Sequence, residues 1–169
     1  NAIMNEAVRR AVGETLLIFS DGDCIPPSRF VETHIREHEP RSFQVGGGFR
    51  LSREATEALT EADVDSGHFE TLRTPEEIAF LKKWRRKSTL GVFLRRPNRP
   101  KVIGFNMALD RALFEAVNGF DEVFEWPFIG EDDDLRDRVM RLRPRPIVKN
   151  LFLRNDVFHL YHGEKSIGR

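Results

Sequence analysis

Three short stretches carry side chains whose types and spacing could do chemistry. In "LLIFSDGDCIP", residues 16–26, an apolar run ends in Asp21 and Asp23 with Gly22 between them. Two carboxylates this close repel each other unless a cation compensates them. Mg²⁺ and Mn²⁺ prefer oxygen ligands and would bridge such a pair to a diphosphate. Gly22 leaves room for a phosphate or sugar to pass near the backbone. The same spacing is common in turns, so the pair alone leaves a plain turn open. In "GEDDD", residues 130–134, Asp132 precedes Leu135 by three positions and shares its helix face. That phase aims Asp132 at the interior or a cleft and turns Asp133 and Asp134 elsewhere. A carboxylate on a rigid first turn suits a general base that takes a proton from a hydroxyl; a solvated acidic helix start is the competing reading. In "FHLYH", His159 and His162 are three apart, and either imidazole can complete an Mn²⁺ shell that carboxylates begin. An ordinary surface or core pair fits the same spacing.

The elements that must hold these groups follow from periodicity. Ile3, Ala7 and Ala11 fall on one side of a first helix that Gly13 is placed to end. Thr15 to Phe19 reads as a strand covered on both faces. Pro26 or Pro27 starts a second helix, with Phe30, Val31, His34 and Ile35 as its apolar side and His38 a turn beyond. His34 and His38 lack an acidic or cysteine companion at ligand spacing, so they are not read as a metal site. "FQVGGGFRL" is a strand interrupted by three glycines, where backbone approaches backbone or ligand closely. Residues 51–74 suggest short helices and loops, and Ile78 to Lys87 a further helix. "KVIGFNMAL" has strand character, Asp110 can cap the helix "RALFEAV", and Asn118-Gly119 can end it. Leu135, Val139 and Leu142 recur at helical spacing behind the acidic cluster, and "PIVKNLFLR" and "VFHLYH" are the last strand candidates. Strands and helices interleave throughout, which predicts an α/β domain with a largely parallel sheet and helices on its faces.

The chain of 169 residues is long enough for one domain with a sizeable core. Lys plus Arg equals Asp plus Glu at 27 each, so net charge gives no reason to expect a nucleic-acid partner. Local charge differs: residues 78–109 hold nine basic side chains, from Lys82 to Lys101, and no acidic one. This stretch is read mainly as solvated surface. Two other roles are a mobile loop placing Arg85, Arg86 or Lys87 over the donor diphosphate or an anionic acceptor glycan, and peripheral contact of residues 82–101 with an anionic membrane. The single cysteine, Cys24, excludes an internal disulfide and fits a cytoplasmic setting; it reads as a packed side chain rather than a nucleophile. No apolar run approaches the roughly 20 residues of a spanning helix. The sequence opens inside a helical pattern without Met, so a piece of a longer protein is expected.

Taken in order, "NAIMNEAVRRAVGETLLIFSDGDCIP", "IGFNMALDRALFEAVNGFDEVF", "GEDDDLRDRV" and "FHLYHGE" resemble the inverting GT-A glycosyltransferases of the family 2 type. The subgroup they look like has a carboxyl-terminal half related to the β-1,4-galactosyltransferase and chondroitin-polymerase type. The resemblance covers residues 1–26 and most of 101–164, and residues 50–95 depart from it. It implies a GT-A fold and transfer of a sugar from a nucleoside-diphosphate sugar, of the UDP-sugar class, to a hydroxyl of a glycan. Under it, Asp21 and Asp23 form the D-x-D element, with Asp23 the direct ligand of Mn²⁺ or Mg²⁺. Asp132 becomes the catalytic base and Glu131 an acceptor-binding carboxylate. His162, with His159 second, completes the metal shell, and the segment from Gly104 through Asn106 to Phe120 lines the donor sugar. It also implies a preceding nucleotide-binding segment, so residues 1–169 are expected to be a single GT-A-like domain or its carboxyl-terminal portion, with a variable basic region at 50–100. Two rival readings are a haloacid-dehalogenase-like Mg²⁺-dependent phosphatase, built on the aspartate pair, and a non-catalytic carbohydrate- or nucleotide-binding domain.

Overall fold

The computed structural model describes residues 1–12, 15–96, 98–123 and 130–163. In chain order the elements are α1 (Ala2–Arg10), β1 (Leu16–Phe19), β2 (Cys24–Ile25), α2 (Phe30–Glu37), β3 (Ser42–Val45), β4 (Gly48–Arg50), α3 (Arg53–Ala58) and α4 (Glu61–Asp65). After a 3₁₀ turn at His68–Thr71 come α5 (Pro75–Phe93), β5 (Met107–Asp110), α6 (Arg111–Ala116), α7 (Glu131–Arg141), β6 (Ile147–Asn150) and β7 (Val157–His159).

The strands form two sheets, β1-β5-β3-β6 and β2-β7-β4. The expected largely parallel sheet is corrected here. Among the described residues β5 runs antiparallel to both β1 and β3, β2 runs antiparallel to β7, and only β3–β6 and β4–β7 are parallel. Periodicity along the chain identifies an element's type, whereas its direction is decided by distant pairing partners. β3 and β5 are buried at every position, and Phe43, Val45, Met107 and Leu109 join Leu135 and Val139 of α7 in one core. Phe19, Phe114 and Phe120 close its β1 side, with ring centroids 5.3–5.7 Å apart.

Local signals account for several boundaries. Asp110 caps α6 by accepting from the Ala112 amide at 2.9 Å. Thr74 and Glu77 make a reciprocal capping box at the start of α5, with Pro75 in the first turn. Asn118 and Gly119 take positive φ after α6, as anticipated. Gly13, the expected stop of α1, lies outside the described residues. "KVIGFNMAL" is a strand only from Met107; Asn106 instead closes a turn onto the Ile103 carbonyl at 2.9 Å.

Two helices bury faces that differ from those predicted, wholly in α1 at Ile3 and Ala7 and in part in α2, where Phe30 and His34 do face inward. In α1 Ile3 is exposed, while Asn5 and Val8 are buried. Asn5 is drawn inward because its amide donates to the Phe120 carbonyl at 2.8 Å and its oxygen accepts from the Phe120 amide at 2.9 Å. In α2 Phe30, Thr33 and His34 face inward and Val31 and Ile35 face out. His34 is held by Gln44 at 2.8 Å, and burial keeps its imidazole below its ordinary pKa and neutral. Arg85, Arg86 and Lys87 lie inside the 19-residue α5, which overturns the loop placement offered for them. Helical hydrogen bonding and the anchors from Asn150 to the Arg85 carbonyl and Thr89 hold that segment in place.

Candidate active site

The aspartate pair and the late histidines meet because β2 and β7 are neighbours. Cys24 stands opposite His159 in register, and the Leu160 amide donates to the Asp23 carbonyl at 2.9 Å. This pairing carries the Asp23 carboxylate to 3.3 Å from His162 Nε2 and 3.8 Å from His159 Nε2. The two imidazoles lie 5.0 Å apart between centroids. His159 Nδ1 faces the Leu160 carbonyl at 2.8 Å. A carbonyl only accepts, so Nδ1 donates to it, and Nε2 is the ring nitrogen turned toward Asp23.

One carboxylate and two imidazoles suit a divalent transition ion such as Mn²⁺ better than Mg²⁺, which favours an all-oxygen shell. Cys24 Sγ also falls within a candidate ligand cluster with Asp23 and His159. Burial, with the charges of Asp23 and Asp21, pushes its thiol up to about 12. With no ion beside it the thiol stays protonated and is a poor nucleophile.

Asp132 sits in the first turn of α7, against Gly104. The Gly104 amide donates to its carboxylate, yet burial, followed by the charges of Glu131 and Asp21, raises its pKa to about 6. The carboxylate packs so closely that a Cβ at position 104 would lie 2.4 Å from Asp132 Oδ2. Gly104 therefore supports Asp132, and both Gly104 and Asp21 border the same cleft beside β1. The two following carboxylates have other partners: Asp133 is joined to the buried Arg136, and Asp134 to Arg138 at 2.6 Å. Helix phase thus separates one perturbed carboxylate from two that are spent in ion pairs.

Asn106 is placed differently from its expected donor-lining role. It is fully buried, and its amide donates to the carbonyls of Gly47 at 2.7 Å and Asn155 at 2.6 Å. It clamps the glycine-rich turn, where a Cβ at Gly46 would lie 2.3 Å from the Asn106 amide nitrogen. Asn106→Ala is expected to destabilise the fold by about 2–4 kcal/mol, since two buried carbonyls lose their donor. Thermal melting checks this, and a normal melt with a selective loss of donor affinity would restore the donor-lining role.

Several neighbours carried no sequence signal. Arg50 stands in register with His159 on β4, and the Phe105 ring lies 5.3 Å from the His159 ring. Asp156 is buried, accepts from the Gly47 amide at 2.9 Å and the Leu153 amide at 2.7 Å, and has a pKa raised to about 6 by burial. Only the glycine run in "FQVGGGFRL" hinted that side chains would crowd there.

Residues 86–162 match the family model for the N-terminal domain of galactosyltransferase. The match supports a glycosyltransferase domain of the galactosyltransferase type. No curated protein matches the chain. The matched stretch contains Gly104, Glu131, Asp132, His159 and His162, while Asp21 and Asp23 precede it. Galactosyltransferase domains typically use nucleotide-sugar donors, often with a divalent metal.

Proposed function

We propose that the chain provides the catalytic face of a metal-dependent, inverting glycosyltransferase that moves a sugar from a UDP-sugar-class donor to a glycan hydroxyl. The observation carrying this reading is that Asp21, two residues from Asp23, shares a cleft with Gly104 and acts by its charge on Asp132. Asp23 with His159 and His162 offers an ion site, and Asp132, perturbed in part by the charge of Asp21, offers a base. An ion bound by Asp23, His162 and His159 would supply positive charge to the leaving diphosphate. Asp132 accepts the proton of the acceptor hydroxyl as its oxygen bonds to the anomeric carbon and the bond from that carbon to the diphosphate oxygen breaks. One displacement inverts the anomeric centre, and no protein nucleophile is needed. In this reading Glu131, beside Asp132, holds the acceptor, and the cleft lined by Asp21 and Gly104 takes the donor.

The deciding experiment incubates the protein with a panel of UDP-sugars and Mn²⁺, with and without glycan acceptors, and measures nucleoside diphosphate release. Release that depends on both metal and acceptor supports transfer. Phosphate release from a simple phosphomonoester would favour the phosphatase reading, and donor binding without turnover a binding domain.

The basic stretch supports a second contact, with an anionic membrane at the cytoplasmic face. Beyond Lys82, Arg85 and Arg86, α5 exposes Leu90 at 51% and Phe93 at 81%, with Leu94 at 47% beside Arg95 and Arg96. Large apolar side chains ringed by cations suit insertion among acidic headgroups, at about 1 kcal/mol per basic residue near the surface. No described helix is long and apolar enough to cross a membrane. Vesicles rich in phosphatidylserine should sediment with the protein at low salt and less at physiological salt, and phosphatidylcholine vesicles should not. Absence of binding at both salts removes this contact.

A further inference from the structure

We infer that the aromatic cleft between α5 and the Ile103–Phe105 segment is a subsite for a neutral sugar residue of the acceptor, a hexose or N-acetylhexosamine. This rests on the transferase reading and names the acceptor class for it. The cleft, of about 580 Å³, is walled by Phe80, Trp84, Phe105 and Ile103, with Glu76 and Arg50 at its rim. Phe80 is 51% exposed and lies 4.9 Å from the ring of the half-buried Trp84, so an open aromatic face is seated on a second ring anchored in the core. Such surfaces suit the C–H faces of a pyranose, and the rim supplies hydrogen-bond partners for its hydroxyls.

Position ties the cleft to the reaction. Phe105 lines it and also lies 5.3 Å from His159, while its chain neighbour Gly104 supports the Asp132 carboxylate. A sugar against Phe105 is therefore one residue along the chain from the group that holds the base. The fold makes room for this ring, since a Cβ at Gly48 would lie 2.5 Å from Phe105 Cε2.

Charge selects the occupant. Glu77 is occupied by the Thr74 cap and the Arg50 amide, whereas Glu76 is exposed at the rim and makes no such cap. The two carboxylates share the cleft with the Arg50 side chain and with Lys101 Nζ, 5.8 Å from the Trp84 ring, so the opposite charges balance and leave no net positive field to draw a hexuronic acid or a sulfated sugar, and neutral hydroxyls are favoured. Glu76, Phe80 and Trp84 all lie before residue 86, outside the galactosyltransferase match. Ile103 and Phe105, which complete the cleft, lie inside it.

The test pairs acceptor kinetics with direct binding of neutral and hexuronic disaccharides, followed by saturation-transfer difference NMR. Phe80→Ala removes an exposed ring and should leave the fold intact. It is expected to raise the acceptor KM by about 3- to 10-fold, the range for one lost ring contact. It should also weaken the neutral disaccharide's NMR signal, with donor hydrolysis to water unchanged. Phe80→Tyr should restore both, and Glu76→Gln should narrow the discrimination against the hexuronic sugar. Unchanged acceptor KM and unchanged NMR signal in Phe80→Ala overturn the subsite, as does preference for the hexuronic sugar. Absence of any donor turnover in the unaltered protein would instead count against the transferase reading. The NMR comparison still decides the cleft in that case, because a neutral-sugar signal lost in Phe80→Ala supports it and no signal at all overturns it.

Discussion

Asp132→Asn is expected to cut sugar transfer by about 10²-fold or more, the usual range for a positioned proton acceptor, while metal-dependent donor binding persists. The amide fits the same space against Gly104 but cannot take the acceptor proton. In the unaltered protein Asp132 is ionised above its raised pKa of about 6, so transfer should climb as pH rises through about 6 and then level off. That limb should vanish in the variant. Stability should move the other way. The folded-state pKa lies above the unfolded value, so the fold favours the protonated carboxyl, and this advantage is present below the unfolded pKa and lost as pH rises through about 6. Asp132→Asn should consequently melt higher than the parent at pH 8, by roughly 1–2 kcal/mol after solvent screening, and the same near pH 3. Asp133→Asn and Asp134→Asn should spare transfer, because their carboxylates pair with Arg136 and Arg138. Near-normal transfer in Asp132→Asn would end the base assignment.

Loss of the ion site should be as severe. Asp23→Ala removes the carboxylate that both imidazoles face. Mn²⁺ affinity in the presence of nucleoside diphosphate should fall by more than about 100-fold, beyond the 10–100-fold typical of losing a supporting partner outside the metal shell. Calorimetric titration measures the affinity, and the Mn²⁺ paramagnetic resonance signal reports directly on the bound ion. His162→Ala should weaken binding strongly, as its Nε2 is the imidazole nitrogen nearer to Asp23. His159→Ala should also weaken it, since its Nδ1 bond to the Leu160 carbonyl leaves Nε2 free to coordinate. The larger loss identifies the stronger ligand. Unchanged titrations in Asp23→Ala would remove the site from this position.

The candidate residues of the proposed site are legible from residue type and spacing. The D-x-D pair after an apolar run, the acidic helix start with Leu135 three residues on, and the two late histidines all stood out. Short-range rules suffice there, because helix phase alone separates Asp132 from Asp133 and Asp134. The Asp110 cap and the Asn118-Gly119 turn were readable for the same reason. What sequence left open was contact across the chain. The β2–β7 register that brings Asp23 to His159 and His162 joins segments more than 130 residues apart. Strand direction, the inward turn of Asn5 and the buried duty of Asn106 likewise depend on partners far along the chain. The aromatic cleft is the extreme case, because Phe80 and Trp84 meet Phe105 only once α5 packs beside the glycine-rich turn. Sequence by itself determined which side chains could bind an ion or move a proton, since that follows from their chemistry and local periodicity. The tertiary structure alone decided which of them share a site, because burial, charge proximity and close packing are set by long-range pairing.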